Sequence, residues 1–255
     1  MTQVAIGVLL AAVVALVAYR AHALSRSGAI AAFAVGAIVF GAGGWPGAAV
    51  LLAFFIPSSL LSRIGKARKR AIGEGIEPEP RNGWQVLANG GIAAVCVLAG
   101  VHGSSRFAAA FAGAFAAASA DTWGTEIGIL ARRAPVSLLT LRPVAAGRSG
   151  GVTPLGLAAS IAGAFVVAGV AALLGLASVW SVTAGGIAGA LLDSLLGGSL
   201  QALRWCPQCR CECETRLHFC GTVTELRRGA TWIENDAVNF AATLCGAAVA
   251  GLLAS

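Results

Sequence analysis

The chain has 255 residues, of which 57% are hydrophobic and only 11% are charged, and its mean hydropathy is +0.81. Soluble domains carry about 25% charged residues, so this composition leaves too little polar surface for a soluble globule. The formal net charge of +7 would suit nucleic acid, but the basic residues are distributed over several separate loops. We therefore predict an integral membrane protein and exclude nucleic acid as its partner.

Eight apolar runs approach or reach the roughly 17–25 residues that a bilayer-spanning helix needs. They cover residues 3–19, 28–43, 45–62, 86–101, 107–124, 154–176, 181–200 and 237–254. Only Gly43-Gly44 separates the second run from the third, and the fourth is short, so seven spans is an open alternative. The first run lacks a basic leader and a small-residue cleavage site, so it is interpreted as the first span rather than as a signal peptide.

The predicted fold is an all-α integral membrane protein, a compact bundle of seven or eight transmembrane helices. The 34 glycines favour close helix packing. The whole chain, 1–255, forms one polytopic domain, and a Cys-rich loop at 201–236 is inserted before the last helix. Spans five and seven both end in Asp followed by Thr or Ser, and spans six and eight both follow a polar cap. This pattern indicates a parallel repeat of two-helix units.

Positive charge predicts the orientation of the bundle. All but one of the 18 Lys and Arg residues fall in loops 20–27, 63–85, 125–153 and 201–236, and the exception is Arg106. The positive-inside rule then places these loops in the cytoplasm and both termini outside, in the plasma membrane of a bacterium or archaeon. All the acidic residues lie in the same loops or in the helix segments that lead to them, so an active site is expected to face the cytoplasm.

Two carboxylates, Asp121 and Asp193, interrupt apolar runs. Such groups cost about 2.5–3.5 kcal/mol each on insertion scales and persist mainly where they bind or move something. Glu126 follows Asp121 by about 500° around a helix, so the two share no face unless the helix breaks or ends near Gly124. With phosphate as co-ligand, such oxygens suit Mg²⁺. A solvated helix-end acid at Asp121 and a buried structural acid at Asp193 are the alternatives.

The outward-running spans begin after polar, basic or glycine-rich segments, and helix N-termini bind phosphate. We expect phosphate near Arg81 and Asn82, near Asn235 and Asp236, and along the loop formed by Gly147, Arg148, Ser149, Gly150 and Gly151, which has no Walker sequence. Gln85 and Asn89, like Asn235 and Asn239, are four residues apart and share a helical face. Ordinary helix capping and plain helix–helix hydrogen bonds are the alternatives.

The loop between the last two spans carries five cysteines and one histidine within fifteen residues. Cys206-x₂-Cys209 and His218-x-Cys220 have the spacing of a tetrahedral zinc knuckle, and a cytoplasmic loop disfavours structural disulfides. Cys206, Cys209, His218 and Cys220 are the candidate ligands of a structural Zn²⁺, although six residues could supply four ligands. Cys96 and Cys245 lie in spans and are interpreted as packing residues.

Five segments together resemble the signature blocks of an integral-membrane family that was long catalogued as a domain of unknown function. They are Arg81-Asn-Gly-Trp-Gln-Val-Leu-Ala-Asn89, Asp121-Thr-Trp-Gly-Thr-Glu-Ile-Gly128, Gly147-Arg-Ser-Gly-Gly-Val-Thr-Pro-Leu-Gly156, Leu192-Asp-Ser-Leu-Leu-Gly-Gly-Ser-Leu-Gln201 and Asn235-Asp-Ala-Val-Asn239. The family includes the phytyl-phosphate kinases of plants and cyanobacteria and is distantly similar to CTP-dependent dolichol and phytol kinases. The Cys-rich loop departs from the kinases.

The resemblance implies a kinase that phosphorylates an isoprenoid monophosphate, of phytyl or geranylgeranyl type, to the diphosphate, using CTP or another nucleoside triphosphate. It implies that Asp121, Glu126, Asp193 and the loop Gly147–Gly151 line the nucleotide–Mg²⁺ site. We also expect Asn89, Ser194 and Asn239 to bind the nucleotide or a phosphate. Cytidylyl transfer to a lipid phosphate is one alternative. A transporter or lipid flippase is another, but carboxylates confined to the cytoplasmic side suggest no path across the membrane.

Overall fold

A computed structural model describes residues 2–64, 80–101 and 103–254. Its helices are α1 Thr2–Arg20, α2 Arg26–Leu61, α3 Gly83–Ala99, α4 Ser105–Gly128, α5 Pro154–Leu173, α6 Val179–Ser199 and α7 Asn235–Leu253. These bounds agree with the predicted apolar runs to within a few residues. Five helices, α1, α2, α5, α6 and α7, are long and apolar enough to cross a membrane, and α3 is a shorter apolar helix. The predicted all-α integral membrane fold is confirmed.

The helix surfaces expose large apolar side chains, as lipid-facing surfaces do. Leu9 on α1, Leu173 on α5 and Leu252 on α7 are 65%, 88% and 83% exposed. A helix that is hydrophobic on all sides is either buried in a protein core or spans a membrane. Because these leucines are exposed on the surface of the bundle, α1, α5 and α7 fit the membrane-spanning case.

The long helix α2 is a hairpin of two passes. Gly44, near its middle, has φ 59° and ψ −154°, a backbone conformation outside any helix. The Nη2 of Arg63, just beyond the end of α2, donates to the carbonyl of Ala21, just before its start, at 3.0 Å. A straight helix of 36 residues would separate its ends by about 54 Å. The chain therefore reverses at Gly44, and the described residues make eight helical passes rather than seven.

Helix α4 lies at the centre of the bundle. Every residue from Ala109 to Ala120 is buried, and α4 packs against α2, α3, α5, α6 and α7. Its contacts with α6 and α7 run through Gly113, Gly186 and Gly246, where a methyl group would meet the backbone or an alanine of the facing helix. Small residues let helices approach closely in lipid, so the predicted glycine-rich packing is confirmed.

The helix neither breaks nor ends at Gly124, because α4 continues unbroken to Gly128. Gly124 instead lies against Ser160 of α5, and a side chain at 124 would collide with the Ser160 hydroxyl. The glycine therefore serves close packing of α4 on α5 rather than an unwound terminus.

Two small sheets, which the sequence did not indicate, lie in the loops at the end of the bundle where α4 and α6 finish. Strands β1 (Val136–Ser137) and β2 (Gly151–Val152) pair antiparallel. In the Cys-rich loop, β3 (Leu203–Cys206) lies between β4 (Cys211–Cys213) and β5 (Glu225–Arg228), and both pairings are antiparallel. These strands give the long loops a defined shape beside the helix ends.

Candidate functional site

A cleft of about 1010 Å³ opens at the end of the bundle where α4 and α6 finish and where α3, α5 and α7 begin. Most of the predicted site residues line it: Arg81, Asn89, Asp121, Glu126, Gly147, Arg148, Ser149, Gly150, Gly151, Asp193, Ser194, Asn235 and Asn239. Gln85 lines it as well. Asn82 and Asp236 are the two predicted phosphate-binding residues outside this lining. The fold thus gathers residues from five separate sequence blocks around one space.

Two carboxyl groups meet inside the cleft. Asp121 on α4 and Asp193 on α6 lie within side-chain hydrogen-bonding reach of each other. The Oδ2 atom of Asp193 is buried and has no hydrogen-bond partner among the described residues. Two carboxylates this close repel when both are ionised, so the pair needs a proton or a cation between them. A buried carboxylate oxygen without a partner fits a divalent cation bound by hard oxygen ligands.

A cation, Arg81, faces this pair. Its backbone bridges to Leu24 just before α3 begins, and its Nη2 donates to the Ser62 hydroxyl at 3.3 Å. Burial lowers the pKa of the Arg81 guanidinium, and the negative charges of Glu126 and Asp121 oppose that shift. Because a guanidinium keeps its proton in proteins, Arg81 brings a permanent positive charge to the carboxylates.

The glycine-rich loop before β2 is held by acidic residues of the Cys-rich loop. The N–H and the hydroxyl of Ser149 both donate to the Glu214 carboxylate, at 3.0 and 2.7 Å, and Gln201 donates to it at 2.8 Å. Arg148 forms an ion pair with Glu212 at 3.0 Å. The predicted anion-binding amide of Ser149 therefore already binds a carboxylate of the protein itself.

Gly150 in this loop is required by packing. Its φ is +81°, in the left-handed region that favours glycine. A Cβ atom would also clash with the backbone of Gly198 and come within 2.7 Å of the Ser194 carbonyl, both on α6. The loop is therefore pressed onto α6 one residue beyond Asp193.

Of the four outward-running helices, α2, α3, α5 and α7, three have starts that are capped by side chains. Ser25 caps α2, Thr153 caps α5, and Asn82 caps α3 in a reciprocal capping box with Gln85. The start of α7, after Glu234, has no side-chain cap. Ordinary helix capping, the alternative interpretation, therefore accounts for Asn82. Asn235, by contrast, lies at the uncapped start of α7 and lines the cleft.

A second, apolar cavity of about 300 Å³ lies between α1, α2 and α3. Its walls are mainly small and aliphatic or aromatic residues, among them Leu10, Val14, Ala32, Val35, Ala49, Phe54 and Phe115. Arg81, Gln85 and Asn89 line both this apolar chamber and the polar cleft. The two spaces therefore share a wall formed by the first turns of α3 and by Arg81, which lies just before this helix.

Four contributors to the site were missed in the sequence. Ser62, Arg63 and Arg133 line the cleft, and Glu214 binds the glycine-rich loop. In the sequence, both arginines served only to predict membrane orientation from the charge of their loops. A count of charges does not show which arginine side chains line the cleft. Glu214 lies one residue beyond β4, in the segment Cys211-Glu212-Cys213-Glu214. The alternation of acidic residues with cysteines in this segment could have marked Glu214 as a candidate.

The four predicted zinc ligands also come together. The ligand atoms of Cys206, Cys209, His218 and Cys220 all lie within 4.8 Å of one another. This cluster is separate from the cleft and joins the β3–β4 turn to the segment before β5.

Comparison with known proteins places the chain in a family. The sequence matches the family described as integral membrane protein DUF92 over residues 9–247. It is similar to Protein PGR of Arabidopsis thaliana, with 33% identity covering 93% of this chain and 91% of the plant protein. No solved structure is significantly similar to it.

Two further relatives are named uncharacterized membrane proteins. The one from Methanocaldococcus jannaschii is 33% identical over 75% of this chain and 81% of its own length. The one from Synechocystis sp. is 27% identical over 86% of this chain and 78% of its own length. The family match spans nearly the whole described bundle, both aspartates included, and confirms the resemblance seen in the motifs: the chain belongs to the integral-membrane family DUF92.

Proposed function

We propose that this protein is a membrane kinase that transfers the terminal phosphoryl group of CTP, or of another nucleoside triphosphate, to an isoprenoid monophosphate. The observation that carries the proposal is the pairing of two spaces. A polar cleft with two apposed carboxyl groups shares Arg81 with an apolar chamber. Such a pair suits a reaction between a charged nucleotide and a phosphate on a hydrocarbon tail.

Asp121 and Asp193 are the residues that would hold Mg²⁺. Magnesium in nucleotide sites is usually bound by one or two carboxylates together with substrate phosphates. The unpartnered Oδ2 of Asp193 and the facing Asp121 carboxyl group match that donor set. When bound, the ion supplies charge neutralisation for the triphosphate.

Cations around the cleft would bind the phosphates. Arg81, Arg63 and Arg133 belong to three different segments of its lining. The start of α7 has no side-chain cap and adds the positive end of a helix dipole. Arg148 contributes less charge than the sequence suggested, since it is paired with Glu212.

The apolar chamber would hold the isoprenoid tail, with its phosphate at Arg81. An oxygen of this acceptor phosphate forms the new bond to the transferred phosphorus, while the bond from that phosphorus to the bridging oxygen breaks and the nucleoside diphosphate leaves. The acceptor oxygen is already anionic, so no general base has to remove a proton. Positioning and charge stabilisation by the lining residues then account for most of the catalysis.

The proposed active site faces the cytoplasm. The cleft lies at the end of the bundle that carries the basic loops. At the opposite end, the short connections at residues 103–106 and 174–178 contain a single basic residue, Arg106. The positive-inside rule favours a cytoplasmic location for the basic end, where nucleoside triphosphates are available.

Purified protein in detergent tests the proposal. It would be incubated with Mg²⁺, each nucleoside triphosphate in turn, and phytyl, geranylgeranyl or farnesyl phosphate. We expect a prenyl diphosphate from at least one combination, with CTP favoured. A folded preparation that turns over no prenyl phosphate with any nucleotide would overturn the kinase proposal.

A further inference from the structure

The Cys-rich loop carries a cluster with the composition and spacing of a metal site. The Sγ atoms of Cys206 and Cys220 are 3.6 Å apart, and Nδ1 of His218 is 3.1 Å from Cys220 Sγ. Cys209 completes a set of four ligand atoms that all lie within 4.8 Å of one another. Tetrahedral zinc, with Zn–S bonds of about 2.3 Å, separates its sulfur ligands by about 3.8 Å. The cluster therefore has the dimensions of a single four-ligand site.

The donors select zinc from among the common metals. Three thiols and an imidazole are the ligands of structural Cys₃His zinc sites, whereas magnesium and calcium take oxygen ligands. The separation between the Sγ atoms of Cys206 and Cys220 is well beyond the length of a disulfide bond. The N–H of Cys209 donates to Cys206 Sγ at 3.4 Å, so the turn between β3 and β4 already wraps around one sulfur.

We infer that Cys206, Cys209, His218 and Cys220 bind one structural Zn²⁺. The ion would link the β3–β4 turn to residues 218–220, which precede β5 in the chain. Cys206 and His218 are buried, Cys220 is partly buried, and Cys209 is exposed, so the metal enters from the Cys209 side. Binding requires thiolates and neutral imidazole, and each thiol that is protonated beforehand releases its proton to solvent.

The zinc would also position the glycine-rich loop of the cleft. Glu212 lies in β4 and Glu214 follows it, directly beyond the turn that holds Cys206 and Cys209. These two acids hold Arg148 and Ser149. Fixing the β3–β4 hairpin therefore fixes the carboxylates that orient the loop, which lies against α6 beside Ser194.

Metal analysis of the purified protein tests the site directly. We expect one equivalent of zinc in the wild-type protein and loss of that zinc in Cys209→Ser and Cys220→Ser. Removing a ligand should weaken affinity by more than about 100-fold, since even residues behind the ligands contribute about 10–100-fold. Cys213→Ser, in the same hairpin but outside the four, is the matched control and should retain zinc.

Replacement of zinc by Co²⁺ serves as a second measurement if a variant fails to fold. Wild-type protein should give the visible absorption and thiolate charge-transfer bands of tetrahedral cobalt. A folded, reduced wild-type protein that binds neither metal, or a pattern in which Cys213→Ser loses zinc and Cys209→Ser keeps it, would overturn the assignment. The assay needs no turnover, so its outcome is independent of the proposed kinase activity.

Hydrogen exchange tests the positioning role. Removal of zinc from wild-type protein with a chelator should increase deuterium uptake at residues 147–151, and restoring zinc should reverse the change. Peptides from α1 should remain unchanged and provide the internal control. Unchanged uptake at 147–151 after complete zinc removal would contradict the coupling of the metal to the loop.

Discussion

The polar cleft and the apolar chamber are built in opposite ways, although they share a wall. The cleft is formed at helix ends, where carboxylates, arginines and glycines from distant parts of the chain converge. The chamber is formed along helix sides by small and apolar residues of α1, α2 and α3. Helix ends offer unpaired backbone groups and helix sides offer none, so a membrane bundle can bind a charged ligand and a hydrocarbon side by side.

The sharpest way to break this division is to remove the carboxylates of the cleft. Asp121→Asn and Asp193→Asn should each reduce kcat by about 10³-fold, the upper end of the loss caused by removing one preorganised charge-stabilising group. Neither should lower the unfolding temperature in detergent, because each relieves repulsion between the two carboxyl groups.

Glu225→Gln, an exposed acid in β5, is the matched control and should retain activity. Near-normal turnover in Asp121→Asn or Asp193→Asn would remove that residue from the site.

The shared wall should be the place where one change affects both substrates. Arg81→Ala should reduce kcat/KM by about 10²-fold for the nucleotide and for the prenyl phosphate, because the guanidinium lies where both spaces meet. Steady-state kinetics with each substrate varied in turn would measure this. Arg106→Ala, at the opposite end of the bundle beside Gly251, should change neither value. If Arg81→Ala lowered kcat/KM for the nucleotide alone, Arg81 would not bind the prenyl phosphate, and the proposed shared role of this wall would be wrong.

Filling the chamber should affect the lipid substrate alone. Ala32→Leu adds bulk inside the chamber and should raise KM for the prenyl phosphate about 10-fold, the usual scale of discrimination in an apolar pocket. The KM for the nucleotide should stay unchanged. Ala34→Leu, on the exposed face of the same helix, is the control. Equal KM values in the two variants would place the tail elsewhere.

The glycine-rich loop offers the smallest effect, one of stability. Gly150→Ala should lower the free energy of unfolding by about 1–3 kcal/mol, because φ is positive and the new methyl group meets α6. Gly169→Ala, in α5 with no heavy atom within 4 Å of the new methyl group, should be neutral or slightly stabilising. Thermal unfolding in detergent compares the two, and equal melting temperatures would contradict the packing argument.

Much of the helical architecture could be predicted because lipid requires long apolar runs, and Gly43-Gly44 correctly marked the hairpin of α2. Asp121 and Asp193 could also be predicted as a pair of site residues, because charged residues are rare in apolar runs of membrane-spanning length. Contacts between distant loops could not be predicted. Nothing local to Ser149 indicates that Glu214, 65 residues away, accepts its hydrogen bonds. Glycine was ambiguous for a physical reason, since at Gly124 it permits close packing and at Gly44 it permits a turn.

The fate of the terminal phosphoryl group tests the central claim most directly. Wild-type protein would be incubated with Mg²⁺, phytyl phosphate and CTP labelled at the terminal phosphate, and the products would be separated. The proposal predicts that the label appears in a prenyl diphosphate with an equal amount of CDP, and that Asp193→Asn produces neither. Label released as pyrophosphate with formation of a CDP-lipid, or label transferred equally well by Asp193→Asn, would contradict it.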